Sequence, residues 1–255
     1  MLVRRAHSPD DSNESSTDLL PSNSDMNIHR HLQNNVPIGW EAEFGDSDEG
    51  ILEVCEKLEE LDIVLAPRCD LTFRAYELVP KNKVKVVIIG EGPYHTPNVA
   101  NGLSFSCNGP VAPSLKNIYK ELERSIPDFR VPTHGDLTSW CSEGVLLLNT
   151  SLTVKLGSAG FLPRLWMSLI DSTVNGLINR DRHIIWMLWG EKAKIVARLI
   201  GDKGIVLTAA HPSPLNTRGG FVGCGHFSKC NAILTSKGRT AINWSLPGPY
   251  ADGKK

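Results

Sequence analysis

Two turns carry the residues best suited to chemistry. The β-branched run Lys85–Ile89 ends in Gly90-Glu91-Gly92-Pro93-Tyr94-His95, and far along the chain, after another apolar run, comes His211-Pro212-Ser213-Pro214-Leu215. A strand that opens into a Gly/Pro turn bearing an aromatic ring, an imidazole and a carboxylate is where an α/β sheet exposes reactive groups, at the carboxyl ends of its strands. No P-loop Lys-Ser/Thr follows Gly90–Gly92, which disfavours a phosphate-binding enzyme built on that turn. Each group also has a plain reading when taken alone. A Phe after a strand packs in the core, an Asn at a strand end caps a turn, a loop Leu packs, and a histidine between prolines sits in a surface loop.

The elements around these turns follow from the hydrophobic pattern. Four short runs, Val84–Ile89, Gly144–Leu148, Ile184–Leu188 and Ile205–Thr208, are apolar at nearly every position and alternate with helical patterns over Ser114–Ser125, Arg164–Asn179 and Lys192–Ile200. Strands of this kind separated by helices predict a three-layer α/β/α sandwich around a central four-stranded parallel twisted sheet. Each run is followed by a polar, Gly/Pro-bearing or His-bearing segment: Gly90–His95, Asn149-Thr150-Ser151, Trp189-Gly190-Glu191 and His211–Leu215. Loops at one end of a parallel sheet converge, so these four are expected to line one cleft. Ile51, Leu52, Val54, Cys55, Leu58 and Leu61 recur at helical spacing and predict an amphipathic helix over 50–64 with an acidic outer face.

A chain of 255 residues with 41% apolar content is expected to form one domain with appended tails. Residues 1–35, rich in Ser, Asp, Asn and Glu, read as a disordered tail, residues 36–247 as the folded domain, and residues 248–255 as a flexible C-terminal tail. Residues 1–62 hold 4 Lys/Arg against 15 Asp/Glu, whereas residues 63–255 hold 23 against 13. An acidic arm ahead of a basic body suits a polyanionic partner such as nucleic acid. The six cysteines form no CxxC pair and sit in or beside apolar runs, which implies reduced thiols; the spacing of Cys224, His226 and Cys230 is not that of a zinc finger. No apolar stretch is long enough to span a membrane and the N-terminus lacks a secretory h-region, so a soluble intracellular protein is expected.

At this point the motifs carry a resemblance. Residues from Asn35 to Pro247 resemble a family 1 uracil-DNA glycosylase. The turn GEGPYH is similar to the family's water-activating GQDPYH, Gly102–Ser106 (GLSFS) to its GLAFS, and Gly144–Thr150 (GVLLLNT) matches the common form. Met187–Gly190, His211–Leu215, Gly223–Lys229 and Ile242–Trp244 continue the likeness in the family's order. The resemblance implies an enzyme of base-excision repair that flips uracil out of single- or double-stranded DNA and hydrolyses the N-glycosidic bond, leaving an abasic site, with no metal and no cofactor. It implies that Phe105 stacks on the base, Asn149 reads uracil O4 and N3–H, Tyr94 excludes a C5 methyl, and His211 donates to O2, with Glu91 also at the uracil. It further implies that Leu215 fills the vacated space in the minor groove and that Pro113, Ser114, Gly190 and Ser213 hold phosphates.

Three departures from the family pattern bear on activity. Gly92 stands where the family has the aspartate that activates water, and Glu91, in place of the usual Gln, is the tentative substitute. Glu191 follows Gly190 in place of Ser and should repel a phosphate unless it points away, and Gly160–Trp166 lacks a polar pair of the family's GSHxxxGW stretch. The alternative reading is therefore a catalytically impaired homologue that binds DNA or uracil as a scaffold or regulator. Asn34–Trp40 resembles the segment that joins tail to catalytic domain in animal nuclear forms, implying a nuclear location, with a mitochondrial isoform as the other possibility. A monomer is expected, with replication or repair proteins meeting the N-terminal tail.

Overall fold

Burial on both faces demands β-branched and aliphatic residues without interruption, and the four apolar runs meet that demand as strands. The computed structural model describes residues 28, 36–45, 48–61, 63–158 and 165–252. In chain order its elements are α1 (Glu41–Gly45), α2 (Asp48–Glu60), β1 (Leu65–Ala66), α3 (Arg74–Leu78), β2 (Val86–Gly90), α4 (Pro113–Ser125) and α5 (Thr138–Ser142). Then follow β3 (Val145–Asn149), β4 (Val154–Lys155), α6 (Met167–Arg180), β5 (Ile185–Trp189), α7 (Glu191–Lys194), α8 (Val196–Ile200), β6 (Ile205–Ala209) and α9 (His226–Ser236).

The main sheet has the order β3-β2-β5-β6 and every pairing in it is parallel. Strands β2, β3 and β5 are buried at every position, while β6, at an edge, is closed off only at Ala209. Each strand ends one residue later than its apolar pattern suggests. Gly90, Asn149 and Trp189, expected in loops, and Ala209, just past its apolar run, are instead the last rung of the sheet, with Gly90 opposite Asn149 and Trp189 opposite Ala209. The chain leaves β2 towards β3 on one side and returns to β5 on the other. The loops after β2 and β5 therefore diverge and leave a crevice between them.

Helix α4 begins with Pro113 at its first position, where a missing N–H costs nothing. The single helix expected over Lys192–Ile200 is two, because the hydrogen bonds around Ile195 tighten to i→i+3: Ile195 N to Lys192 O, and Arg198 N to Ile195 O, each 3.2 Å. Helix α9 was not anticipated, since its buried stripe runs through His226 and Cys230 as well as Phe227 and Leu234. The acidic excess is carried largely by α1 and α2, which belong to the packed body: Phe44, Ile51, Val54, Cys55 and Leu58 join the main core. Beyond residue 247 the chain runs beside Val131–Thr133, with Thr133 N donating to Pro249 O (2.9 Å) and Ala251 N to Val131 O (2.8 Å). All six cysteines are free thiols. Among the described residues no helix is long and apolar enough to cross a membrane.

Candidate active site

Strand β2 ends in glycine because nothing larger fits. A Cβ on Gly90 would lie 2.4 Å from Asn149 Oδ1, 3.1 Å from Ser104 Cβ and 3.2 Å from Phe105 Cε2. The absent side chain lets a carboxamide and an aromatic ring meet over the last rung of the sheet. The turns on either side are strapped together: Thr150 N donates to Gly90 O (3.0 Å) and Thr150 Oγ1 to Glu91 O (2.9 Å). Asn149 is only 7% exposed, yet its carboxamide has no hydrogen-bond partner among the described residues. Neither of its polar atoms is among the side-chain atoms sealed from solvent without a partner, so the amide is open to water or a ligand from the cleft it lines.

Phe105 reaches this point with φ +61°, an unusual conformation for an aromatic residue. Strain of about 1–3 kcal/mol persists only where neighbours impose it. Here Ser104 N donates to Leu147 O (3.1 Å), Ser104 Oγ to Ile88 O (3.3 Å), and Asn101 Nδ2 to Ser106 Oγ (2.8 Å). Gly102 passes so close to Leu71 O that a Cβ would stand 2.2 Å from it. The Phe105 ring packs on Trp189, centroids 5.2 Å apart, and faces His211 at 5.8 Å. Tyr94 donates from its hydroxyl to Phe105 O (2.9 Å), and burial pushes its phenol well above the usual range, so it stays protonated.

Gly92, Tyr94, Phe105, Asn149 and Leu152 line a narrow cleft. His211 is not part of that lining and borders it at one remove, across the Phe105 ring. Ser213 N donates to His211 Nδ1 (3.0 Å), which makes Nδ1 an acceptor and leaves the proton of the neutral ring on Nε2. Burial lowers the His211 pKa, with Glu91 opposing that shift and Lys192 adding to it. The imidazole is thus a neutral donor at physiological pH.

Glu91 lies on the β5 side of its turn. A Cβ on Gly190 would be 2.9 Å from Glu91 Oε1 and 3.1 Å from both Cβ and Cδ2 of His211, so the carboxylate and the imidazole crowd one point. Lys192 Nζ stands 3.3 Å from Glu91 Oε2. The space in front of Gly92 opens the other way, towards Val154 Cγ1 (3.6 Å) and Ser151 Cβ (3.9 Å), contacts that would admit a side chain. Glu91 and the side-chain space of residue 92 therefore occupy different sides of the turn.

The outer residues ring this centre. Leu215, 89% exposed, sits on a turn in which its N–H donates to Ser213 Oγ (3.2 Å). Pro113 and Ser114 open α4, whose N-cap Ala112 offers no side-chain cap, so first-turn amides remain free for an acceptor. Gly190, at φ +95°, donates to Ala209 O (3.1 Å). Glu191 is turned out, 88% exposed in its side chain, and Lys194 Nζ lies 2.7 Å from its carboxylate, which offsets the repulsion expected from it. Residues 160–164 of the remaining departure lie outside the described residues. Among the described residues no cluster of three His, Cys, Asp or Glu side chains could hold a metal ion, and His226 Nδ1 accepts from Trp189 Nε1 (3.0 Å). Sequence reasoning did not find the steric demand at Gly90, the Lys192 partner of Glu91, or the ties from α4 described below; each depends on an approach between distant segments.

The family profile described as "Uracil DNA glycosylase superfamily" matches residues 77–235. A uracil-DNA glycosylase of Dichelobacter nodosus is 49% identical over 188 residues, 72% of this chain and 82% of its own, and one of Proteus mirabilis is 43% identical over 221 residues, 83% and 97%. The crystal structure of mimivirus uracil-DNA glycosylase superposes with a TM-score of 0.75 at 29% identity, covering 82% of this chain and 86% of its own. The bacterial relatives overturn the expected nuclear location and its mitochondrial variant, since their cells have no nucleus and the Asn34–Trp40 segment was the only support for either. Profile, relatives and fold agree with the motifs, and the chain belongs to the uracil DNA glycosylase superfamily.

Proposed function

We infer that this protein is a uracil-DNA glycosylase: it extrudes a uracil nucleotide from DNA and hydrolyses the N-glycosidic bond, leaving an abasic site. The observation that carries the assignment of roles is the convergence at Gly90, where the Asn149 carboxamide and the Phe105 ring, held by a positive-φ backbone, both approach the position a Cβ would take. On this reading Phe105 is the platform for the base, and Asn149 supplies a donor and an acceptor that fit uracil O4 and N3–H and mismatch cytosine. Tyr94 closes the C5 side against a thymine methyl. His211 gives its Nε2–H to O2 as negative charge grows there, an electrostatic contribution commonly worth about 3 kcal/mol or more.

Leu215 enters the duplex as the base leaves it, and phosphates are received at the Ser114 amide, with Pro113 shaping that turn, at the Ser213 hydroxyl, whose proton is not used by the bond it accepts from Leu215 N, and against the bare Cα of Gly190. The carboxylate that balances the cationic sugar is Glu91, acting from the β5 side rather than from position 92. The reading is supported by its place beside His211.

The test is single-turnover release of uracil from a single-stranded oligonucleotide by the native chain, Glu91→Gln and Gly92→Asp. The native chain is expected to release uracil, Glu91→Gln to lose about 10²-fold or more, and Gly92→Asp to fold and gain. Release by Gly92→Asp alone would replace the reading with that of a DNA-binding homologue. Unchanged turnover in Glu91→Gln would remove Glu91 from the mechanism.

A further inference from the structure

One face of α4 holds both ends of the loop that carries His211 and Leu215. Asn117 Nδ2 donates to Pro212 O (2.8 Å), between the histidine and Ser213. Four residues on, hence on the same face, the fully buried carboxylate of Glu121 accepts from Gly223 N and from Gly225 N (2.8 Å), while the Arg124 guanidinium closes on it with two bonds of 3.0 Å. Burial alone would raise the Glu121 pKa, but the guanidinium and the two amides outweigh it and hold the carboxyl below its usual range. Between these anchors the tip is largely exposed, and Asn216 Nδ2 spans it by donating to His211 O (3.3 Å) and Gly219 O (3.0 Å).

A single rigid helix thus fixes where the loop starts and where it ends. We propose that Asn117 and Glu121 are positioning residues that clamp residues 211–225 to α4 and thereby set His211 Nε2 against the base cleft. Neither touches the proposed base; both act through the loop, by way of the Pro212 carbonyl and the Gly223 and Gly225 amides. The Ser213 N–H that fixes the His211 tautomer follows the Pro212 carbonyl directly, so freeing that carbonyl loosens the donor on Nδ1 as well. The proposal rests on His211 as the O2 donor.

Asn117→Ala and Asn117→Asp, the second placing an acceptor against Pro212 O, carry the test, since Glu121 variants risk the fold. Each is expected to lower single-turnover kcat about tenfold, as small misplacements of a catalytic group do. KM for the oligonucleotide should change less than about twofold, and the melting temperature little. In a His211→Ala background Asn117→Ala should add no further loss. An NMR titration of His211, whose ring is faced by the charged groups Glu91 and Lys192, should show its pKa moving up towards the ordinary value in Asn117→Ala. Equal losses with and without His211, or an unmoved titration, would overturn the clamp. A native rate no faster than His211→Ala would instead remove the O2-donor reading, and the titration would still decide the clamp.

Discussion

Replacing the α-hydrogen of Gly90 that faces the site with a methyl group would set a carbon 2.4 Å from Asn149 Oδ1, so one of the two must move. Because the nearest obstruction is the end of the Asn149 side chain, with Ser104 Cβ and the Phe105 ring at 3.1 and 3.2 Å, Gly90→Ala is expected to keep the fold and lose about 10²-fold or more in single-turnover uracil release. Circular dichroism beside the rate measurement separates the two effects. Tyr94, Phe105, Asn149 and His211 were legible in the sequence because they fall in GEGPYH, GLSFS, GVLLLNT and HPSPL, which resemble the family's motifs in its order; the apolar runs alone place only the strand ends. Gly90 was legible only as a turn glycine: the reason it must be glycine lies in two other segments. The same holds for Glu91, whose carboxylate could be named from the chain but whose side of the turn depends on Gly190 and Lys192.

The strand pattern was readable to within a residue, and its error was systematic, since Gly90, Asn149, Trp189 and Ala209 pair across the sheet without looking like strand interior. Helix α9 escaped because a histidine and a cysteine contribute to its buried face, and the break at Ile195 escaped because periodicity does not register a local change from i→i+4 to i→i+3 bonding. The loop after β6 yields an expectation of its own. An isolated leucine that is 89% exposed gains nothing from folding, but it can occupy the gap left by an extruded base. Leu215→Ala should lower uracil release from duplex DNA about tenfold, and from single strands less than about threefold, because only the duplex has stacking and pairing to overcome. Equal losses on the two substrates would show that the side chain acts elsewhere.

All six tryptophans are buried, so their fluorescence reports global unfolding. His226 links that unfolding to pH. Burial, aided by Lys229, lowers its pKa to about 4, and its neutral Nδ1 receives the Trp189 indole N–H. Between the unfolded value near 6.5 and the folded value, the unfolded chain binds a proton that the folded chain refuses. The contribution of His226 is therefore complete above pH 6.5 and declines as pH falls towards 4, by up to ~3 kcal/mol; His211, also lowered by burial, acts in the same direction. Melting followed by tryptophan emission should show a lower midpoint at pH 5 than at pH 7, and His226→Gln should flatten that difference. A pH-independent midpoint over this range would contradict the burial of a neutral imidazole at this position.

Five of the six thiols are closed off inside the body, and Cys224 alone is half open, between the two glycines whose amides Glu121 holds. Burial raises the Cys224 pKa, so at alkaline pH an alkylating reagent should reach this sulfur first, at the root of the segment that carries Leu215. The native chain thus contains its own preferred attachment point for a fluorophore or spin label, and movement of that segment on meeting DNA can be followed without engineering a cysteine.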